Sequence, residues 1–459
     1  MLRNDTICAL STPQGSGALA IIRLSGTDVR SILDRYFTTP SGKPADWKSH
    51  KAHYGHWTVD GQQLDELLIT YFEEGKSFTG ELSAEINCHG SPYIIKGILA
   101  SLTAAGCRLA DPGEYTMRAF MNGRMDLAQA EAVADLIHAE SKAMHQVALN
   151  QLKGGFSNEI STFREDLVHF ASLIELELDF AEEDVEFASR KELTESVNKL
   201  RTQVQSLIDS FTLGNAIKKG IPTAILGAPN AGKSTLLNAL LGEDRAIVSD
   251  IAGTTRDTIE DTFHLGGLTY RLIDTAGIRE TSDVIEKAGI DRAFDQARKA
   301  DLILYLVDAT APPTNLEEIL KDLKEKAPQA KLILLSNKTD LAAETNLESI
   351  PTEFYSNSLA ISAKAKHGLE ELKAVLKELT AWEQTSASHS IVTSARHADA
   401  LKRTLDALDR TLDAIANNIP GDLLAQDLRT ALDALGEITG SITTDDLLGN
   451  IFSKFCIGK

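Results

Sequence analysis

Gly227-Ala-Pro-Asn-Ala-Gly-Lys-Ser234 decides how the middle of this chain folds. It follows the apolar run Thr223-Ala-Ile-Leu226 and opens onto Thr235-Leu-Leu-Asn-Ala-Leu-Leu241, so it reads as a strand, a phosphate-cradling loop and a helix. The glycines let backbone N–H groups turn toward phosphate oxygens, and the helix N-terminus adds a favourable dipole. Lys233 is expected on the β and γ phosphates and the Ser234 hydroxyl on Mg²⁺. Asn230, Ala231, Gly232 and Thr235 complete the phosphate contacts.

Three further elements point to guanine. Asp274-Thr-Ala-Gly277 ends the apolar run Tyr270-Arg-Leu-Ile273, where an acid at a parallel strand tip suits a water-mediated Mg²⁺ contact. Asp274, Thr275, Ala276 and Gly277 are therefore expected at the γ-phosphate. Asn337-Lys-Thr-Asp340 ends a second buried run, Leu332-Ile-Leu-Leu335. A carboxylate at Asp340 can accept both N–H donors of guanine's Watson–Crick edge, which adenine lacks. Two charge-assisted hydrogen bonds amount to about 3–6 kcal/mol, enough to exclude ATP. Ser362-Ala-Lys364 follows Leu359-Ala-Ile361 and is expected to back the base, alongside Asn337 and Lys338. Four ordered motifs on strand ends predict a GTP-hydrolysing domain.

At 459 residues the chain exceeds one core, and two to four domains are expected. A composition 43% hydrophobic and 24% charged is that of an ordinary soluble protein. No apolar stretch approaches the ~18 residues of a membrane span, and the N-terminus lacks a secretory apolar core. No membrane association and a cytoplasmic location are expected. Cys8, Cys88, Cys107 and Cys456 are scattered without metal-ligand spacing, so reduced thiols are expected. A formal charge of −20 with no basic arm argues against strong non-specific nucleic-acid binding.

The texture changes along the chain. Residues 1–123 read as α+β: strand-like Thr6–Leu10 and Leu19–Leu24, then a hairpin turning at Asp60-Gly61 between Tyr54–Val59 and Leu64–Phe72. Residues 124–217 and 380–459 read as one discontinuous helical domain. Ile160, Phe163, Leu167, Phe170, Ile174 and Leu178 fall on one face at three-to-four spacing. The acidic cluster Glu182-Glu-Asp184 reads as a solvated helix end. The α/β phosphate-loop domain, 218–379, interrupts the helical one, as an insertion can where domain termini lie close together.

At this point the chain resembles the bacterial tRNA-modification GTPase family MnmE, also called TrmE. The most specific matches are Ile251-Ala-Gly-Thr-Thr-Arg-Asp257, Asn122-Gly-Arg-Met-Asp-Leu-Ala-Gln-Ala-Glu131 and the terminal Phe455-Cys-Ile-Gly-Lys459. The resemblance covers essentially the whole length. It implies an N-terminal α+β tetrahydrofolate-binding and dimerisation domain, a helical domain, and an inserted Ras-like G domain. It implies a homodimer that, with a flavin-containing MnmG-type partner in a heterotetramer or larger complex, acts on tRNA. The product is an aminomethyl or carboxymethylaminomethyl group on carbon 5 of the wobble uridine, and the carbon donor a 5-formyl- or 5,10-methylene-tetrahydrofolate.

Carried over residue by residue, the family's folate contacts fall on Arg23, Glu81, Arg124 and Lys459. The family usually has Lys at Arg124, and Arg keeps the charge but changes the donor geometry. Ile278 stands where Ras-like enzymes carry a water-orienting glutamine. The family replaces that glutamine with K⁺ and a distant acid. Asn230, Ser249, Ile251 and Thr254 match the potassium positions, Thr255 joins Ser234 on Mg²⁺, and Glu286 matches the acid. Ser249, Asp250, Ile251, Ala252, Gly253, Thr254 and Thr255 form the first switch. Cys456 is the candidate for a chemical role in the tail, as nucleophile or general base, the alternative being a tail that only seals the pocket. The alternative reading is a GTP-timed ribosome-assembly factor without modification chemistry. Its members normally append a compact basic RNA-binding module, which the acidic C-terminal region lacks.

Overall fold

The computed structural model describes residues 5–41, 46–179, 190–243, 261–273, 294–341, 350–379, 390–417 and 419–458. It divides into two compact units. The first takes in Met1–Ile137, Asn150–Arg201 and Lys402–Lys459, the second His138–Leu149 and Thr202–Leu401.

The first unit carries a seven-stranded sheet, in spatial order β3-β4-β5-β6-β2-β1-β7. Its strands are β1 (Ile7–Leu10), β2 (Leu19–Ser25), β3 (Phe37–Thr38), β4 (Lys51–Val59), β5 (Gln62–Phe72), β6 (Ser83–His89) and β7 (Arg108–Leu109). Period-two alternation decides which face is core. Ala20, Ile22 and Leu24 of β2 and Ala84, Ile86 and Cys88 of β6 point inward and are buried. They meet Ile98 and Leu102 of helix α2 (Pro92–Ala104) in one cluster. The intervening residues, among them Arg23 and its cross-strand partner Glu85, face the other way. The β4–β5 hairpin turns at Asp60 and Gly61, whose φ of 50° and 78° are both left-handed, as a tight two-residue turn demands.

Helix α1 (Val29–Tyr36) lies between β2 and β3, helix α3 (Glu114–Met121) follows β7, and α4 (Leu127–Ile137), α5 (Lys142–Leu152), α6 (Gly155–Asp179) and α7 (Arg190–Lys219) follow in turn along the chain. Phe156, Ile160, Phe163, Leu167 and Ile174 of α6 are buried along one stripe. The chain's last helix, Asp445–Phe452, starts with Thr444 accepting the Leu447 N–H at its N-cap. Phe452 and Phe455 beyond it pack with Leu127 and Ala130 of α4.

The second unit is built on a six-stranded sheet, ordered β13-β12-β11-β8-β10-β9. These are β8 (Ile221–Gly227), β9 (Thr262–Leu265), β10 (Leu268–Leu272), β11 (Leu302–Asp308), β12 (Lys331–Asn337) and β13 (Asn357–Ala360). All neighbours are parallel except the β9–β10 pair. Parallel sheets are covered on both faces, so their strands read as unbroken apolar runs. Leu302 to Val307 of β11 are buried without exception. The phosphate loop leaves the carboxyl end of β8 and runs into α8 (Lys233–Glu243). Ligands of such sheets bind beyond the carboxyl ends of the strands, where Gly227, Asp308 and Asn337 stand.

Candidate functional sites

Backbone conformation shapes the phosphate loop. Gly227 has φ 144°, and a Cβ there would stand 2.4 Å from the Leu306 carbonyl oxygen on the next strand. Gly232 has φ 100°, and a Cβ there would stand 2.2 Å from the Asn337 amide nitrogen. No side chain fits at either position. Asn230, at φ 61°, adopts the left-handed conformation that asparagine tolerates better than most residues. The Lys233 ammonium donates to the carbonyls of Gly227 at 2.9 Å and Ala228 at 2.8 Å. Burial lowers its pKa, and an adjacent phosphate restores the charged form's advantage. Ser234 and Thr235 follow in the first turn of α8, and Ala231 is fully buried beneath the loop.

Asn337 does more than its motif implies. It is buried, its Nδ2 donates to the Ala231 carbonyl at 2.8 Å, and its Oδ1 accepts the Ala363 N–H at 2.9 Å. One side chain therefore ties the phosphate loop to both loops read as guanine-binding. Asp340 and Ser362 are likewise brought together: the Ser362 hydroxyl donates to Asp340 Oδ1 at 2.6 Å and holds the carboxyl below the usual carboxylate range. Ser362 Oγ also accepts the Ala365 N–H at 3.1 Å, closing the turn that contains Lys364. Lys338, at φ 67°, donates to Asp308 at 2.5 Å, and Asp308 also accepts from the Thr310 N–H and hydroxyl. Asp308 is a partner of Lys338 that the motif reading missed. Its only signal was its place at a strand end.

Ser249, Asp250, Ile251, Ala252, Gly253, Thr254, Thr255, Asp274, Thr275, Ala276, Gly277, Glu286 and Lys459 lie outside the described residues.

The N-terminal site is assembled from distant residues. Arg23 Nε donates to Glu85 at 2.9 Å, and its Nη1 reaches the Gly458 carbonyl at 3.4 Å. The Ser11 hydroxyl donates to the same carbonyl at 3.2 Å, so the C-terminal tail is docked beside Arg23. Gly458 has φ 90° and lies so close that a Cβ would meet the Leu10 carbonyl oxygen at 2.6 Å. Cys456 is exposed, and its carbonyl accepts the Gly113 N–H at 3.4 Å. Glu81 accepts from the Ser25 hydroxyl at 2.7 Å and from Arg118 at 3.1 Å. Arg124 stands near Glu81, its Cγ 3.3 Å from where a Gly80 Cβ would sit. Arg23 is thus joined to the tail at Gly458, while Arg124 lies beside Gly80, the residue before Glu81. Sequence reading missed Arg118 and Ser25; the signal available for Arg118 was its i,i+4 spacing from Glu114 on α3.

Comparison with known proteins settles the family. The family model described as "MnmE helical domain" matches residues 127–456, and "GTP-binding protein TrmE N-terminus" matches 6–124. The chain belongs to the MnmE family. Curated MnmE proteins match along their whole length, each named "tRNA modification GTPase MnmE". That of Flavobacterium psychrophilum is 49% identical over 100% of both chains. That of Christiangramia forsetii is 50% identical over 100% of both. That of Cytophaga hutchinsonii is 51% identical over 99% of this chain and 98% of its own. Among solved structures, the FeoB G-domain from Methanococcus jannaschii is 29% identical over 35% of this chain and 97% of its own. Its TM-score of 0.26 is too low to carry an argument. MnmE membership makes the chain an enzyme of the tRNA-modification GTPase type. No helix among the described residues is long and apolar enough to cross a membrane.

Proposed function

We propose that this chain hydrolyses GTP in a potassium-dependent manner to drive modification of the wobble uridine of tRNA. In this reading it works as a homodimer with a flavin-containing MnmG-type partner, adding an aminomethyl or carboxymethylaminomethyl group at carbon 5. The observation that carries the reading is the full-length match to proteins named for tRNA modification. The domain division goes with it: 1–123 for folate binding and dimerisation, 124–217 with 380–459 helical, and 218–379 for GTP.

At the nucleotide, Asp340 takes the two N–H donors of the guanine edge while Ser362 fixes its carboxylate. The loop N–H groups and Lys233 face the phosphates. Ser234 and Thr255 are the residues to hold Mg²⁺, and Asn230, Ser249, Ile251 and Thr254 to hold K⁺. The Ser234 and Thr255 hydroxyls, the Asn230 amide oxygen and main-chain carbonyls of Ser249 to Thr254 are hard oxygen donors of the kind these ions favour. Bound there, the cations would stabilise the negative charge that builds up on the phosphate oxygens during transfer. Glu286 orients the attacking water.

At the N-terminal site, Glu81 offers a carboxylate to the N–H edge of a pterin. Arg23, Arg124 and Lys459 offer cations to the acidic tail of a tetrahydrofolate. The Arg23–Gly458 contact and the nearness of Arg124 to Gly80, next to Glu81, support that fit. Cys456 stands in the docked tail.

The decisive experiment follows wobble-uridine modification by mass spectrometry of tRNA from cells lacking the chain. Unchanged uridine-5 modification overturns the reading. GTP hydrolysis is expected to be faster in K⁺ than in Na⁺ at equal ionic strength. Glu286→Ala is expected to slow it without loss of GTP affinity, and Cys456→Ser to abolish modification while sparing hydrolysis.

A further inference from the structure

Beneath Glu81 lies a network of ion pairs that neither motif nor family match assigns. Arg118 of α3 has a side chain only 1% exposed. Its Nη1 donates to the Asp5 carbonyl at 2.8 Å and to Glu81 at 3.1 Å. Its Nη2 donates to Asp5 Oδ1 at 2.7 Å and to Glu114 at 2.9 Å. Arg108 supplies the second guanidinium, with Nε on Asp5 at 2.8 Å and its terminal nitrogens on Glu114 at 3.0 and 2.5 Å. Asp5 and Glu114 thus each take bonds from both cations, whereas Glu81 takes them from Arg118 alone. Asp111, its side chain largely exposed, reaches Arg108 at 3.5 Å, and its backbone N–H donates to Glu114 at 2.8 Å.

The charges do not cancel. Two guanidiniums face Asp5, Glu114 and Glu81, so one negative charge is left over, and the bonding pattern puts it on Glu81. Asp5 and Glu81 are the part-exposed acids of the three, with side chains 29% and 24% exposed against 6% for Glu114, and Glu81 follows Gly80, which lies beside Arg124. A second observation concerns orientation. Arg118 Nε is buried with no partner. An unmet buried donor is destabilising, and the guanidinium accepts it so as to turn both terminal nitrogens onto carboxylates. On the opposite side, the buried Ser25 hydroxyl donates to Glu81 Oε2 at 2.7 Å, and Thr79 lies 2.7 Å from the same hydroxyl.

We infer that Arg118, with Ser25, is the positioning residue of Glu81, holding it as an under-compensated carboxylate aimed at a ligand edge with two adjacent N–H donors. The matching chemical group is a 2-aminopyrimidinone, the edge of a pterin, so the inference rests on the folate reading above. Arg118 Nη1 reaches both Glu81 oxygens, at 3.3 and 3.1 Å, and Ser25 holds Oε2, so the carboxylate meets a ligand without first being reoriented.

The test is calorimetric titration of the full chain with 5-formyl-tetrahydrofolate, with thermal melting of each variant alongside. Arg118→Lys keeps one charge but cannot bridge three acids, and is expected to weaken binding about tenfold or more. Glu81→Gln is expected to weaken it as much. Arg118→Lys added to Glu81→Gln is expected to change affinity less than twofold further, because the arginine acts through the acid. A purely structural arginine instead gives additive losses, or a lower melting temperature with unchanged affinity, and either overturns the inference. Should Arg118→Lys fail to fold, Ser25→Ala decides: about threefold weaker binding supports positioning, and unchanged affinity overturns it. Absence of binding by the unsubstituted protein sinks the folate reading and this inference together. Binding that ignores Arg118 and Ser25 sinks the inference alone.

Discussion

At the nucleotide site, parts position one another through the main chain: Asn337 joins the Ala231 carbonyl to the Ala363 N–H, and glycines at 227 and 232 leave room for nothing else. At the N-terminal site, side chains position side chains: Arg118 and Arg108 hold Asp5, Glu114 and Glu81 by ion pairs across a hundred residues of sequence. The first arrangement needs particular residues at fixed short spacings, since a loop's backbone geometry is local. The second needs only that charges meet in space, and any spacing the fold brings together will do. This difference explains why one site announces itself in the sequence and the other does not.

The largest effect expected falls on guanine recognition. Asp340→Asn removes an anionic acceptor for two N–H donors, roughly 3 kcal/mol or more. GTP affinity should fall at least about a hundredfold. Xanthosine triphosphate, which carries a carbonyl where guanine has its amino group, should bind the variant better than GTP does. Fluorescent-nucleotide titration measures both, and an Asn variant still preferring GTP would show that Asp340 does not read the base.

Asn337→Ala probes the tie between loops. Two buried partners lose their bonds, at about 1–3 kcal/mol each. GTP affinity is expected to drop tenfold or more, and the melting transition of the second unit to move down with it. A melting shift with unchanged affinity would make Asn337 a staple of the sheet rather than an organiser of the site.

Gly458→Ala carries the comparison to the N-terminal side. Its φ of 90° and the 2.6 Å approach of a Cβ to the Leu10 carbonyl make any side chain strained there, by about 1–2 kcal/mol. That strain should lift the tail from Ser11 and Arg23. Tetrahydrofolate affinity is expected to fall a few-fold, with GTP hydrolysis unaffected. Equal folate affinity in the variant would show that tail docking and the site are independent.

Much of the fold was open to reading. The apolar runs ending in Gly227, Asp274 and Asn337 identified parallel strands because a sheet covered on both faces has no polar side to display. Asp60-Gly61 located the β4–β5 hairpin because only a few residue pairs accept two left-handed conformations. What stayed hidden depended on long-range pairing. Arg118 looked like an ordinary helix charge, since nothing local says that Asp5 and Glu81 will converge on it. Asp308 was hidden likewise, because the lysine it holds comes from the next strand. The folate residues entered through resemblance alone.

The smallest expected effect concerns acid. Burial by itself raises the Asp5 and Glu114 carboxyl pKa values, but the hydrogen bonds from Arg108 and Arg118 outweigh it and leave both below their ordinary values. A carboxyl lowered by folding binds fewer protons in the folded chain than in the unfolded one between its two pKa values, so stability rises with pH there. The contribution is fully present above the unfolded values, near pH 5, and is lost as pH falls through the depressed folded ones. Glu114→Gln removes one of the two carboxylates. The variant should be less stable than the original at pH 6, and the gap should narrow as pH falls below about 4. Since a multidomain chain need not melt in one step, the readout is local: pulse hydrogen exchange of β1 and α3 after denaturant incubation at each pH. A gap constant with pH would mean that Glu114 stabilises by packing rather than by charge. The N-terminal site would then be held, like the nucleotide site, by geometry that does not titrate.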